Sequence, residues 1–106
     1  MSVILVYVTN ESREAAEKLA SSLLEKRLIA CVNLFPIDSI YRWEGRIERG
    51  KEVVSLFKTR DTLWEDVKRH VEAVHPYKTP CILRIDAAAN EAFGDWVDGE
   101  THPDDR

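Results

Sequence analysis

From Ile29 to Trp43 the chain has no helical period and is rich in β-branched and aromatic residues. It runs into Glu44-Gly45, after which Val53 to Phe57 reads as a strand returning beside it. Such a hairpin is long for its host. Fifteen extended residues at about 3.3 Å each reach roughly 50 Å, whereas a compact domain of this length, with a radius of gyration near 13 Å, is only about 35 Å across. The strand therefore breaks or leaves its own domain. Pro36 cannot donate to a ladder and marks a bulge or an edge, which predicts a bend there. What remains leaves strand edges exposed, and pairing with another subunit is the simplest way to cover them.

The flanking segments supply the rest of a fold. Val3 to Val8 is apolar at nearly every position, as in a central strand covered on both faces. Ala15/Ala16, Leu19/Ala20 and Leu23/Leu24 then recur every four residues, which predicts a helix from about Ser12 to Arg27, capped by Asn10 or Ser12 and supported by the pair Glu14 and Lys18. Thr62-Leu63-Trp64-Glu65 has the form of a capping box, and Leu63, Trp64, Val67, Val71 and Val74 keep helical spacing up to His75, where Pro76 ends the helix. Cys81 to Ala87 reads as a fourth strand with Leu83 and Ile85 in the core. A short helix from Asn90 is expected to bury Phe93, Trp96 and Val97, with a polar, frayed tail from Gly99 to Arg106. The order strand, helix, strand, strand, helix, strand predicts an α+β domain of ferredoxin-like βαββαβ type, single over residues 1–106, with a long extended hairpin and a short C-terminal helix. That fold hosts many functions, so function rests on sites.

Composition removes several classes. At 106 residues with 44% hydrophobic content, the chain can fill one core and a second domain is not expected. The net charge of −4 arises from 15 basic and 19 acidic residues mixed along the chain, so no stripe suited to a phosphate backbone is present and nucleic acid is not an expected partner. The N-terminus lacks a positively charged leader, and its apolar run is far shorter than the ~20 residues that cross a bilayer. The expectation is a cytoplasmic protein without membrane contact, in which Cys31 and Cys81 stay reduced.

No phosphate-binding glycine loop, nucleophile elbow, zinc-helix motif or calcium loop occurs, and Gly45, Gly50, Gly94 and Gly99 are scattered. His70 and His75 are about 140° apart on a helix and would not chelate one metal together. His75, at a helix end before Pro76, is the best candidate ligand for a borderline metal, against the alternative of a histidine that orders the loop by hydrogen bonds. Cys31 reads as a packing residue, and Cys81 as a packed strand start or a soft-metal partner of His75. Tyr41, Trp43 and Glu44 close the hairpin as a candidate intersubunit contact, with cross-strand packing as the alternative. Lys58 is either a solvated lysine or an anion contact in a cleft.

The segments Ala30-Cys31-Val32-Asn33, Tyr41-Arg42-Trp43-Glu44-Gly45, Glu52-Val53, Lys58-Thr59 and His75-Pro76-Tyr77-Lys78-Thr79-Pro80 resemble, in order and separation, the signature segments of the CutA divalent-cation tolerance family. The likeness runs from about Val3 to Trp96. It implies a ferredoxin-like homotrimer, similar in architecture to the PII signalling proteins, whose long hairpins bind the neighbouring subunit. It also implies tolerance of divalent cations, copper binding in some members, and no established enzymatic activity. His75 falls on the family's histidine, which in bacterial members belongs to the copper-binding set, while Val8 and Val74 stand where those members place a cysteine and a second histidine. A metal here therefore calls on His75 together with Glu52 or another carboxylate, Cys81, or a second subunit. No cofactor is required, and Cu2+ or another divalent cation is the expected ligand. A different class of reading makes the protein a PII-like module that binds a small anion in the intersubunit cleft through Lys58, Tyr77 and Trp43, and a third makes it a docking scaffold for other proteins. No base and nucleophile pair is legible, so an enzyme is not expected.

Overall fold

The computed structural model describes residues 2–103. Strand β1 (Val3–Asn10) leads to helix α1 (Arg13–Glu25), the hairpin β2 (Cys31–Trp43) and β3 (Arg46–Arg60), helix α2 (Trp64–Val74), strand β4 (Ile82–Ala87) and helix α3 (Glu91–Glu100). The four strands form one antiparallel sheet in the order β2-β3-β1-β4, as the expected βαββαβ arrangement requires.

Strand alternation decides which side chains meet the helices. Ile4, Val6 and Val8 of β1 and Phe57 of β3 are fully buried beneath α1 and α2, against Leu19, Leu23, Val67 and Val71. Each such side chain contributes roughly 1.5–3 kcal/mol relative to exposure. Buried Thr59 donates its hydroxyl to the Leu28 carbonyl at 2.7 Å, so a polar group on this face is satisfied. Ser12 caps α1, its Oγ accepting from the Ala15 amide at 3.1 Å. The helix ends at Glu25 rather than Arg27, because Arg27 turns into the left-handed region at φ 57°.

Four local expectations need correction. The capping box at Thr62 does not form: Asp61 donates its amide to the Ser2 carbonyl, and a single 3₁₀ turn over Asp61–Leu63 buries Leu63 before α2 begins at Trp64 without a side-chain cap. Leu83 and Ile85 are 52% and 43% exposed. Because Val8 faces Ile82 and Val6 faces Arg84 across the ladder, the opposite parity of β4 points away from the helices. Trp96 is likewise exposed, since only Val97, with Phe93 beside it, seats on Val3 and Ala30. The C-terminal segment is ordered further than expected: α3 runs to Glu100, and Thr101 is fully buried and donates to the Val97 carbonyl. Residues 104–106 of the expected frayed tail lie outside the described residues.

The hairpin is one unbroken ladder from Cys31↔Lys58 to Trp43↔Arg46. The bend expected at Pro36 is absent, because Pro36 lies on the edge strand, where a missing N–H can face away from the ladder. The two-residue turn Glu44–Gly45 has φ of 48° and 78°, the signature of a type I′ turn whose twist matches the strands. β1 ends opposite Val53. From Ile37 to Glu52 the hairpin is therefore a two-stranded arm with no third strand beside it among the described residues, which gives the molecule an extent of 44 Å against 26 and 21 Å.

Candidate functional site

Where the arm leaves the sheet, three elements meet. His75 sits just past α2 with extended backbone at ψ 134°, as the residue before a proline must. Its Nε2 lies 2.8 Å from the Thr9 carbonyl and its Nδ1 accepts from the Tyr77 amide at 3.2 Å. A carbonyl only accepts and an amide only donates, so the ring is held as the Nε2–H tautomer with both nitrogens engaged. The Tyr77 ring stands edge-on to His75, with centroids 4.6 Å apart.

Tyr77 carries the link onward to the hairpin, its hydroxyl donating to Glu52 Oε2 at 2.9 Å. Burial pushes the phenol well above its ordinary range, and the hydrogen bond to Glu52 and the charges of Glu52 and Glu11 push the same way. Burial also raises the Cys81 thiol, with the Glu52 carboxylate adding to the shift. Cys81 thus stays a thiol near the carboxylate of this corner. Among the described residues, no three His, Cys, Asp or Glu side chains gather into a metal-holding group.

The remaining sequence candidates lie elsewhere along the hairpin. Tyr41, Trp43 and Glu44 are exposed near the tip, and Glu44 spends its φ of 48° on the turn. Lys58, opposite Cys31 at the base, donates to Asn33 Oδ1 and lies 5.9 Å from the Phe93 ring centroid. Six residues of extended β3 separate Lys58 from Glu52, and six more separate Glu52 from Arg46, the partner of Trp43. Each interval is about 20 Å, so one chain does not bring Lys58, Tyr77 and Trp43 together. Cys31 is half-buried, its thiol raised by burial and opposed by Lys58. His70 is on the helix side, bonded to Ser22 Oγ at 2.8 Å.

Sequence reasoning passed over Asn10 as more than a helix cap. It is 3% exposed, and its Nδ2 donates to Ser55 Oγ at 2.8 Å and the Val53 carbonyl at 3.1 Å, tying the end of β1 to β3 where the arm departs. The available signal was a polar residue completing the inward series Ile4, Val6, Val8.

A family model described as CutA1 divalent ion tolerance protein matches residues 4–100. The chain belongs to that family. It is 46% identical over 100 residues to the divalent-cation tolerance protein CutA of Pyrococcus horikoshii, covering 93% of this chain and 98% of that one. The solved structure of the periplasmic divalent cation tolerance protein CutA of Archaeoglobus fulgidus superposes with a TM-score of 0.92 at 42% identity, over 94% of this chain and 99% of that one. CutA1 of Oryza sativa superposes with a TM-score of 0.92 at 35% identity, over 96% and 95%. The family's ferredoxin-like fold, expected from the order of elements, is the fold observed.

Proposed function

We propose that the chain acts in divalent-cation tolerance as a cytoplasmic homotrimer that binds rather than catalyses. The observation that carries the assembly is the arm. A two-stranded ribbon is marginal in water on its own, yet this one keeps register to its tip with Ile40 and Ile47 each 63% exposed. The sheet face away from α1 and α2 exposes Phe35, Leu83 and Ile85 as well. Such apolar surface is characteristic of an interface, and a closed ring of three chains covers the arm of each with the body of the next.

The cation is cargo taken up at the corner of His75, Tyr77 and Glu52. Among the described residues Glu52 Oε1 accepts no hydrogen bond, so one carboxylate oxygen is free to ligate. His75 joins when its Nδ1 releases the Tyr77 amide, and groups of the neighbouring subunit complete the set that one chain lacks. Calorimetric titration of metal-free protein with Cu2+, beside His75→Ala and Glu52→Gln, tests this. Saturable binding is expected in the parent and lost in His75→Ala; unchanged binding in both variants removes the corner from the site. Sedimentation at micromolar concentration should return the mass of three chains, and the mass of one would refute the assembly.

A further inference from the structure

On the helix side of the sheet, away from the bare face, a cavity of about 330 Å³ opens between α1 and the end of α2. Ala15, Lys18 and Leu19 line one wall, at the three- and four-residue spacing that puts them on one face of α1. Val74 and Pro76 line the other, and Val74 is 55% exposed there without apolar cover.

Ser22 and His75 also line the cavity, but Ser22 Oγ is bonded to His70 and both ring nitrogens of His75 are engaged, so the polar groups left over stand at two places on the rim. Asn10 lines the cavity while being 3% exposed. Its two amide hydrogens are used on the β3 side by the Val53 carbonyl and Ser55 Oγ, and because a carbonyl cannot donate, the orientation of the amide is set. Oδ1 is left as an acceptor that receives no hydrogen bond among the described residues, and it is not sealed from solvent. Next to it in the chain, the Glu11 carboxylate lines the same cavity. Two turns along α1 lies the ammonium of Lys18. Neither Glu11 nor Lys18 forms an ion pair among the described residues.

An acceptor that opens to the cavity without a protein donor, beside a carboxylate, suits a cationic donor, an unpaired ammonium further along suits an anion, and the walls between are apolar. From this we propose that the cavity binds a small zwitterion, a free α-amino acid with an apolar side chain. The ligand's ammonium meets Asn10 Oδ1 and Glu11, its carboxylate meets Lys18, and its side chain lies between Leu19 and Val74. A volume at the lower end of the roughly 300–1,000 Å³ usual for ligand sites suits a molecule of that size and leaves no room for a nucleotide. His75 also lines the cavity and is shared with the cation corner, so Cu2+ titration of Lys18→Gln and Glu11→Gln, expected to match the parent, keeps the two readings apart.

The test is calorimetric titration of the full chain with L-leucine, with 3-methylbutylamine and 4-methylpentanoate, which lack its carboxylate and its ammonium respectively, and with glycine, which lacks the apolar body. Leucine is expected to saturate one site per chain, and each of the three analogues to bind at least about tenfold more weakly, the order of one charge-assisted hydrogen bond or one buried side chain. Lys18→Gln and Glu11→Gln, both at exposed positions, should each weaken leucine about tenfold while the thermal midpoint without ligand stays unchanged. No saturable heat with leucine, equal affinity for the amine or the acid, or undiminished affinity in both variants overturns the proposal.

Discussion

Replacing Leu83 with aspartate distinguishes a face that is bare in one chain but covered in an assembly from a face that belongs to the chain's own core. Leu83 sits opposite Tyr7 on β1 and keeps 52% of its surface exposed, and Ile85 opposite Leu5 keeps 43%. Complete burial of such a side chain is worth roughly 1.5–3 kcal/mol, so about half of that, near 1 kcal/mol for each residue, remains available to a partner. Aspartate at position 83 removes that gain and places a carboxylate where a partner would desolvate it, at an effective cost of several kcal/mol when unpaired. Within one chain the same change is mild, because half of the side chain already meets water. Sedimentation should therefore show the variant as single chains at concentrations where the parent sediments as the proposed trimer, since each 1.4 kcal/mol or so shifts an association tenfold. Far-UV circular dichroism of those chains should remain folded at low temperature. A variant that stays trimeric with unchanged thermal stability would show that β4 does not face a partner. Outright unfolding at the roughly 3–5 kcal/mol level of a core lesion would show that Leu83 belongs to the chain's own core.

Two further outcomes follow from local geometry. Ser12→Ala should cost about 1 kcal/mol in denaturant unfolding, because Oγ caps the Ala15 amide, whereas Thr62→Ala should cost about nothing, because that residue caps no helix; equal losses would mean the box at Thr62 forms after all. His70 is held below its ordinary value of 6.5, first by burial and then by the Lys26 charge. As pH falls through that value the unfolded chain takes up the proton more readily than the folded one, so stability is complete above it and declines below. The loss between pH 7.5 and 5.5 should shrink in His70→Gln, and an identical pH profile in the variant would refute the assignment.

Part of the candidate corner is legible in the sequence. His75 was marked by its place before Pro76, and its role in ordering the loop through both ring nitrogens was one of the two readings open to it. Glu52 and Tyr77 were named, but their hydrogen bond joins residues 25 apart in the chain and had no signal in either segment. Lys58, Tyr77 and Trp43 read from the sequence as parts of an intersubunit cleft; an unbroken ladder spaces them along one chain, so any such cleft draws them from different subunits, and separation along a strand is a property of register.

The sequence by itself determined what depends on neighbours along the chain. Apolar period sets helix against strand, Pro76 ends α2, Glu44-Gly45 makes the turn, and the length of the hairpin exceeds any domain this chain can build. Only the tertiary structure decided which face of β4 meets the helices, whether Pro36 bends the arm and how the chain around Thr62 leads into α2. Those outcomes rest on pairing. Alternation has a period of two whichever side is inward, so the choice for Leu83 and Ile85 is made by what stands opposite them on β1, not by anything within their own segment.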